Sequence, residues 1–266
     1  MTLFTNIKSF DKSFLLKLWL SLILYQLSVC PVSAQKDTMD IKDYILIINT
    51  YTESFPWSNR LISTATNFVK DDPKLAVYTE HMNMIMIDND SILDQFKDSL
   101  FDRYGSHRPR MLLLLGNSSL ILKDDLRKMW GDIPMVLCAG KDYTGPEHYY
   151  LTKQPIPLSE RVPLAELSQS CNLTYLYANL YIHENVEMMF RTLPRMKRFI
   201  YVGDERFVNQ VNSQEIQEIL RTKHPDVHYT FLSSRDIKKT NQLIDSLNFV
   251  DPRTTGILFS SWFHKR

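Results

Sequence analysis

Residues 44–57 read YILIINTYTESFPW, an unbroken apolar run followed by a polar and aromatic loop. A run without polar alternation is typical of a strand buried on both faces, as in a parallel sheet covered by helices. The loop supplies hydroxyl groups and the rings of Tyr51, Phe55 and Trp57, which suit stacking and hydrogen bonding to a small ligand. The stretch therefore predicts either a ligand-facing loop at a strand end or an ordinary βα connection whose Phe55-Pro56-Trp57 packs on the core.

Composition argues against several classes of function. The 266 residues carry 31 basic and 30 acidic side chains, so the basic surplus that usually accompanies nucleic-acid binding is missing. Only 7 residues are glycine, and neither a G-x-G-x-x-G nor a G-x-x-x-x-G-K-[ST] pattern occurs. We therefore expect no nucleic-acid partner, no dinucleotide or P-loop site, and no cofactor.

The N-terminal 34 residues have the pattern of a secretory signal peptide. Lysines precede and interrupt an apolar run, and the small residues Val32-Ser33-Ala34 would precede a cleavage site. An uncleaved anchor is the alternative, although Lys17 and Gln26 break the run and leave it short for a bilayer of about 30 Å. Removing three Lys and one Asp with this segment leaves 28 basic and 29 acidic residues. The sequence predicts an exported, periplasmic protein.

Cysteine, methionine and histidine give no strong sign of catalysis or metal binding. Cys138 and Cys171 could form a disulfide in an oxidising compartment, with buried free thiols as the alternative. Met82, Met84 and Met86 alternate as on one face of a strand and could bind Cu(I), but core packing is the stronger interpretation. The histidines do not show the H-E-x-x-H or similar spacing of zinc ligands, and the G-x-S-x-G motif of a nucleophile elbow does not occur. We predict no metal and no catalytic residue.

Along the mature chain, strand-like and helix-like segments alternate, which favours parallel sheets with right-handed crossovers. The prolines between residues 140 and 174 interrupt this rhythm, and the alternation then restarts. This predicts an N-terminal α/β lobe at 35–180, with an irregular connection at about 140–174, and a second α/β lobe at 181–266. The predicted strands are 44–49, 74–80, 111–115, 134–138, 175–182, 198–202, 227–232 and 256–259, and the predicted helices are 58–69, 91–104, one opening at 117–119, 184–193, 212–223 and 237–247.

The order of these segments resembles a known family. The signal peptide is followed by ILIINTYTESFPWSN, YTEHMN, PRMLLLLGNSSLIL, IPMVLCAG, LYIHENVEMMFRTLPRMKRFIYVGD and TTGILFSSW. This order is similar to the type I periplasmic binding proteins of the ABC-transporter substrate-binding class. It is more similar still to the extracytoplasmic sensor regions of bacterial two-component histidine kinases, particularly hybrid kinases of Bacteroides-like bacteria. The resemblance covers about residues 40–266.

The resemblance implies two Rossmann-like lobes with a ligand in the cleft between them. The family's domain normally continues beyond such a C-terminus, so the resemblance implies an incomplete second lobe and missing membrane and kinase segments. The expected partner is a small polar or aromatic ligand, and a homodimer is compatible. The ligand-binding residues that it implies are Thr50, Tyr51, Trp57, Asn117, Ser118, Ala139, Gly140, Gly203, Asp204, Ser233, Ser260, Ser261 and Trp262.

Three functions remain open at this point. The first is the ligand-sensing region of a two-component histidine kinase, whose kinase part lies outside this chain. The second is a free periplasmic substrate-binding protein of an ABC transporter. The third is a secreted α/β enzyme, which would require Cys138 or the Ser260-Ser261 region to meet a histidine and an acid in space.

Overall fold

The computed structural model describes residues 43–234 and 237–260. The predicted signal peptide and the predicted site residues Ser261 and Trp262 lie outside these ranges. The strands are β1 Tyr44–Asn49, β2 Ala76–His81, β3 Met111–Leu115, β4 Met135–Ala139, β5 Tyr143–Thr144, β6 Val162–Pro163, β7 Leu173–Tyr177, β8 Arg198–Val202, β9 His228–Leu232 and β10 Thr255–Phe259. The α-helices are α1 Pro56–Val69, α2 Asp90–Tyr104, α3 Lys123–Trp130, α4 Glu147–Thr152, α5 Leu164–Ser170, α6 Ile182–Thr192, α7 Phe207–Lys223 and α8 Ile237–Ser246.

Two parallel sheets organise the chain, which confirms the α/β class. The first has the strand order β2-β1-β3-β4-β7, and the second has the order β10-β8-β9. All pairings in both sheets are parallel. We call the elements through β7 the first lobe and those from α6 onward the second lobe. In each lobe the first strand pairs with the second strand on one side and with the third on the other, which creates a topological switch point.

The apolar run at the start of the sequence analysis is a central strand. β1 lies between β2 and β3, and five of its six residues are buried. Ile47 forms a core cluster with Leu115 of β3 and Cys138 of β4, and Leu61 and Ile62 of α1 pack against it. The prediction of a strand buried on both faces is confirmed, since helix and sheet packing leave no solvent face for a polar alternation.

The second lobe has its own hydrophobic core. Phe199 and Tyr201 of β8 are buried with Val186 of α6 and with Ile216 and Leu220 of α7. Each of the two helices, α6 and α7, thus packs apolar side chains that are spaced one turn apart against the three-stranded sheet.

The proline-rich connection contains short elements rather than none. Residues 140–174 include α4, α5, the antiparallel pair β5–β6 and a 3₁₀ turn at Leu158–Glu160. None of these elements exceeds seven residues, as expected where prolines remove donors and restrict the preceding residue.

Several predicted boundaries are wrong for local reasons. The strand predicted at 175–182 is β7 at Leu173–Tyr177, because the Asn179 side chain accepts from Tyr181 N–H (2.9 Å) and Tyr181 adopts φ 51° before α6. The helix predicted from 212 begins at Phe207, directly after the turn in which Asp204 accepts from Arg206 N–H. Residues Asn117–Leu122 form a 3₁₀ helix before α3 continues as an α-helix.

No helix within residues 43–234 and 237–260 is long and apolar enough to cross a membrane.

Candidate functional site

A cavity lies beside the carboxyl ends of strands from both sheets. It is bounded by the loop after β1, the loop after β3 and the start of α7, which follows β8. These positions belong to the switch point of the first lobe and to the leading strand of the second, where open α/β sheets usually bind ligands. The cavity has a volume of about 80 Å³. That is several times the roughly 10–15 Å³ that one ordered water needs.

Aromatic rings form one wall of the cavity. Tyr51 stacks on Phe55 with a centroid distance of 4.4 Å, and the Arg206 guanidinium lies 5.3 Å from the Phe55 centroid. Burial raises the pKa of the Tyr51 phenol, and the nearby Arg206 partly offsets this effect. Tyr51 therefore stays protonated near neutral pH and can donate a hydrogen bond. Tyr51 and Phe55 belong to the first-lobe wall of the cavity and Arg206 belongs to the second-lobe wall, so the two walls meet here.

Main-chain hydrogen bonds fix the first-lobe wall. Thr50 Oγ1 donates to Leu115 O (2.8 Å), which ties the loop after β1 to the end of β3. Asn117 Nδ2 donates to Lys141 O and Tyr143 O, while its Oδ1 accepts from the N–H groups of Gly140 and Lys141. Asn117 thus joins two loops instead of capping a helix.

Gly116 allows these loops to approach each other closely. Its φ of 96° is a conformation that other residues rarely adopt. A Cβ at this position would collide with Thr50 Oγ1 and lie 3.2 Å from a ring carbon of Tyr51. Glycine is therefore required here both by backbone conformation and by space.

Arg206 is held in place by a buried network behind the cavity. Its Nε donates to both Asp204 carboxylate oxygens (2.8 and 3.0 Å), and its side-chain ion pair with Asp204 measures 2.8 Å. Asp204 is 1% exposed and also accepts from Asn209 Nδ2 at 2.9 Å. Asn209 Oδ1 in turn accepts from the Tyr201 hydroxyl at 2.9 Å. The network orients a cation that would otherwise occupy many rotamers.

Lys153 is a second buried cation at the cavity. It is 5% exposed, and its Nζ donates to the carbonyl oxygens of Met84, Ile87 and Tyr150 at 2.5–3.1 Å. It has a left-handed backbone with φ 61° at the end of α4. Lys153 thus fastens the loop after β2 to the proline-rich connection.

The loop after β2 reaches the cavity because it continues to pair with the first loop. Met82 N–H donates to Asn49 O, and Met84 N–H donates to Thr50 O at 2.9 Å. Asn83 between them has φ 50°, and its Oδ1 is buried without a hydrogen-bond partner among the described residues. The loop after β2 thus adds a partly buried amide side chain to the cavity lining.

The predicted site residues separate into two groups. Five of them line the cavity together, namely Thr50, Tyr51, Asn117, Ser118 and Gly140. The remaining described ones do not line it: Trp57 is exposed in the first turn of α1, Ala139 is buried in β4, Asp204 lies behind Arg206, and Gly203, Ser233 and Ser260 lie elsewhere near strand ends.

Sequence reasoning missed several lining residues, including Asn83, Met84, Lys141, Lys153, Arg206 and Phe207. Arg206 had a detectable signal, since it follows β8 by four residues and precedes a helix. Lys153 had none, because its partners at Met84 and Ile87 lie more than sixty residues earlier in the chain.

The disulfide suggested between Cys138 and Cys171 is not formed, and both thiols are free. Cys138 pairs in register with Leu176, whereas Cys171 precedes Leu173, the partner of Met135. At about 3.3 Å per residue, this places the cysteines roughly 16 Å apart along the strand direction, well beyond disulfide reach.

The structure does not assemble an activated nucleophile at Cys138. Burial raises the pKa of its thiol, which favours the protonated and unreactive form. Met82 and Met84 are buried after the end of β2, so the three methionines do not share a strand face. Within the part of the chain that the structure describes, no group of three or more His, Cys, Asp or Glu side chains could hold a metal ion.

Comparison with known proteins gives a structural likeness but no family. The chain matches no protein-family model and no curated protein. It is similar to the crystal structure of a periplasmic binding protein/LacI transcriptional regulator from Alkaliphilus metalliredigens QYMF complexed with D-xylulofuranose. The identity is 10%, the TM-score is 0.42, and the match covers 81% of this chain and 76% of that one.

Proposed function

We propose that this chain is an extracytoplasmic domain that binds a small ligand between its two lobes and reports the binding event. The observation that carries the proposal is the cavity itself, whose lining combines Tyr51 and Phe55 of the first lobe with Arg206 of the second. A ligand in this position contacts both lobes at once. Export of the domain is supported by the signal-peptide pattern of the N-terminus.

Ligand binding would act by favouring one arrangement of the lobes over others. In the arrangement described here, Lys141 Nζ lies 2.9 Å from Glu215 Oε2 of α7. The ring centroids of Tyr150 and Phe207 lie 4.6 Å apart. These contacts, with Phe55 and Arg206, join the lobes around the cavity. A ligand that touches both walls lowers the free energy of this arrangement and not of the others. Such differential binding is the requirement for a population shift.

Thermal unfolding in the presence of a metabolite library tests the binding proposal. Ligands that bind only the folded chain raise the unfolding midpoint by mass action. We expect at least one amino acid, sugar or organic acid to raise the midpoint of the full-length chain, and Phe55→Ala to abolish that shift. Phe68→Ala is the matched control, because Phe68 is 90% exposed on α1 and outside the cavity. A library without a single stabilising compound would refute the proposal.

We further propose that the domain is the sensor region of a two-component histidine kinase. The support is the order of sequence segments between residues 40 and 266, which resembles such sensor regions. The reading frame downstream of Arg266 tests this part separately. A transmembrane span followed by a kinase region would support it, whereas a stop codon beside permease and ATPase genes would favour a free substrate-binding protein of an ABC transporter.

A further inference from the structure

The side chains that line the cavity carry positive charges and no negative ones. Among the described residues, the lining includes Lys141, Lys153 and Arg206 but neither Asp nor Glu. Across the chain, by contrast, acidic and basic residues are nearly balanced. A cleft with low-dielectric walls and one sign of charge concentrates ligands of the opposite sign.

Two of these cations pair with carboxylates that do not line the cavity. Asp204 is 1% exposed and pairs with Arg206, and Glu215 of α7 pairs with Lys141. The lining therefore presents the guanidinium and the ammonium to a ligand, and not these two carboxylates. The fixed fork of Arg206 also suits the planar geometry of a carboxylate.

The start of α7 adds to the positive potential. Phe207 and Val208, the first residues of this 17-residue helix, line the cavity. The first turn holds no acidic residue and receives no side-chain cap, so its partial positive charge is not offset by a residue of that turn. This feature reinforces the cations beside it.

The rest of the lining suits a ligand that also has an apolar part. The Tyr51 and Phe55 rings offer an apolar face beside the cations. The volume of about 80 Å³ restricts the ligand to a small molecule in this arrangement.

Building on the proposed function, we infer that the cavity takes a small organic acid. Its carboxylate lies beside Arg206 and Lys141, and its apolar part lies against the Tyr51 and Phe55 rings. The inference concerns the charge class of the ligand, so it can fail while small-ligand binding itself holds.

Isothermal titration of the full-length chain with matched acid and neutral probes tests the inference. The pairs are lactate and lactamide, 4-hydroxybenzoate and 4-hydroxybenzamide, and D-glucuronate and D-glucose. We expect the acid of at least one pair to bind about tenfold or more tightly than its neutral partner, a preference that weakens with added salt. Lys141→Gln removes one of the lining cations and should reduce this ratio about threefold or more. Its partner Glu215 is partly exposed, so we expect the variant to fold.

Lys128→Gln, at an exposed position on α3, is the control and should leave the ratio unchanged. A neutral probe that binds as tightly as its acid would overturn the inference and leave the proposed function standing. An acid preference that survives in Lys141→Gln and also in Arg206→Gln would overturn the assignment to these cations. If none of the six probes binds while a cationic or neutral library compound does, the inference fails alone. The proposed function itself fails if no compound of the whole library stabilises the chain.

Discussion

The two walls of the cavity are held in different ways. The first-lobe wall is fixed largely by bonds to main-chain groups, through Thr50 to Leu115 O and through Asn117 to the segment 140–143. The second-lobe wall depends on side chains, because Arg206 is positioned by the buried carboxylate of Asp204 and its neighbour Asn209. The first wall is thus a rigid frame, while the position of the second depends on one charge. The following predictions separate these two modes, from the largest expected effect to the smallest.

Loss of the buried carboxylate should have the largest effect. Asp204→Ala removes the carboxylate that pairs with the Arg206 guanidinium and accepts from Asn209 Nδ2. We expect the free energy of unfolding of the second lobe to fall by about 3–5 kcal/mol in urea denaturation. Asp226→Asn, at an exposed position before β9, is the control and should stay within about 0.5 kcal/mol of wild type. Similar stabilities for both variants would show that the network does not hold the second wall.

Loss of the Asn117 amide should weaken the first wall somewhat less. Asn117→Ala removes four hydrogen bonds to the main chain at residues 140, 141 and 143. Water can reach some of the freed groups, so we expect a loss of about 2–3 kcal/mol in urea denaturation. Ser118→Ala, at the neighbouring lining position, should change stability by less than about 0.5 kcal/mol. The account of a main-chain frame is contradicted if the two variants are equally stable.

A methyl group at Gly116 should disturb the same wall through space and backbone conformation. Gly116→Ala places a Cβ against Thr50 and Tyr51 at a φ of 96°, and we expect a cost of about 2 kcal/mol. Gly140→Ala is a close control, because Gly140 also lines the cavity but a Cβ there meets nothing within 4 Å. Thermal unfolding of both variants should therefore separate them clearly. Equal midpoints would mean that the loops have space that the structure does not show.

Alkaline pH should test the first lobe away from the cavity. Tyr44 is buried, its hydroxyl donates to His107 O at 2.6 Å, and burial raises its pKa to about 12. Because the pKa of the folded state is above the unfolded value of about 10, this stabilisation is lost as pH rises from about 10 toward 12. Between pH 8 and pH 11, the free energy of unfolding of Tyr44→Phe should therefore fall by about 1 kcal/mol less than that of wild type. Tyr181→Phe, which removes a phenol hydroxyl at an exposed position, is the control.

The sequence was most informative where a strand is buried on both faces. β3 at Met111–Leu115 and β8 at Arg198–Val202 match their predicted ranges, because continuous apolar runs have few other stable arrangements. Boundaries that depend on a side chain bonding to a nearby N–H group could not be located in the same way. The turns at Asn179 and Asp204 ended a strand and began a helix earlier than the periodicity indicated.

The candidate site was predictable only where residues directly follow a strand in chain order. Thr50, Tyr51, Asn117, Ser118 and Gly140 were found by that rule and line the cavity. Trp57 was a reasonable prediction, but the first turn of α1 leaves it exposed beside Tyr51, with centroids 5.6 Å apart. Lys153 and Asn83 come to the cavity through contacts between distant segments, and local patterns contain no information about such contacts.

The central claim is that one ligand contacts both walls. The most direct measurement is isothermal titration of the tightest-binding library compound into wild type, Tyr51→Ala and Arg206→Gln, with Arg221→Gln as an exposed control on α7. The account predicts a loss of about tenfold or more in affinity for each of the two wall variants and none for the control. Undiminished affinity in either Tyr51→Ala or Arg206→Gln would contradict a site shared by the two lobes.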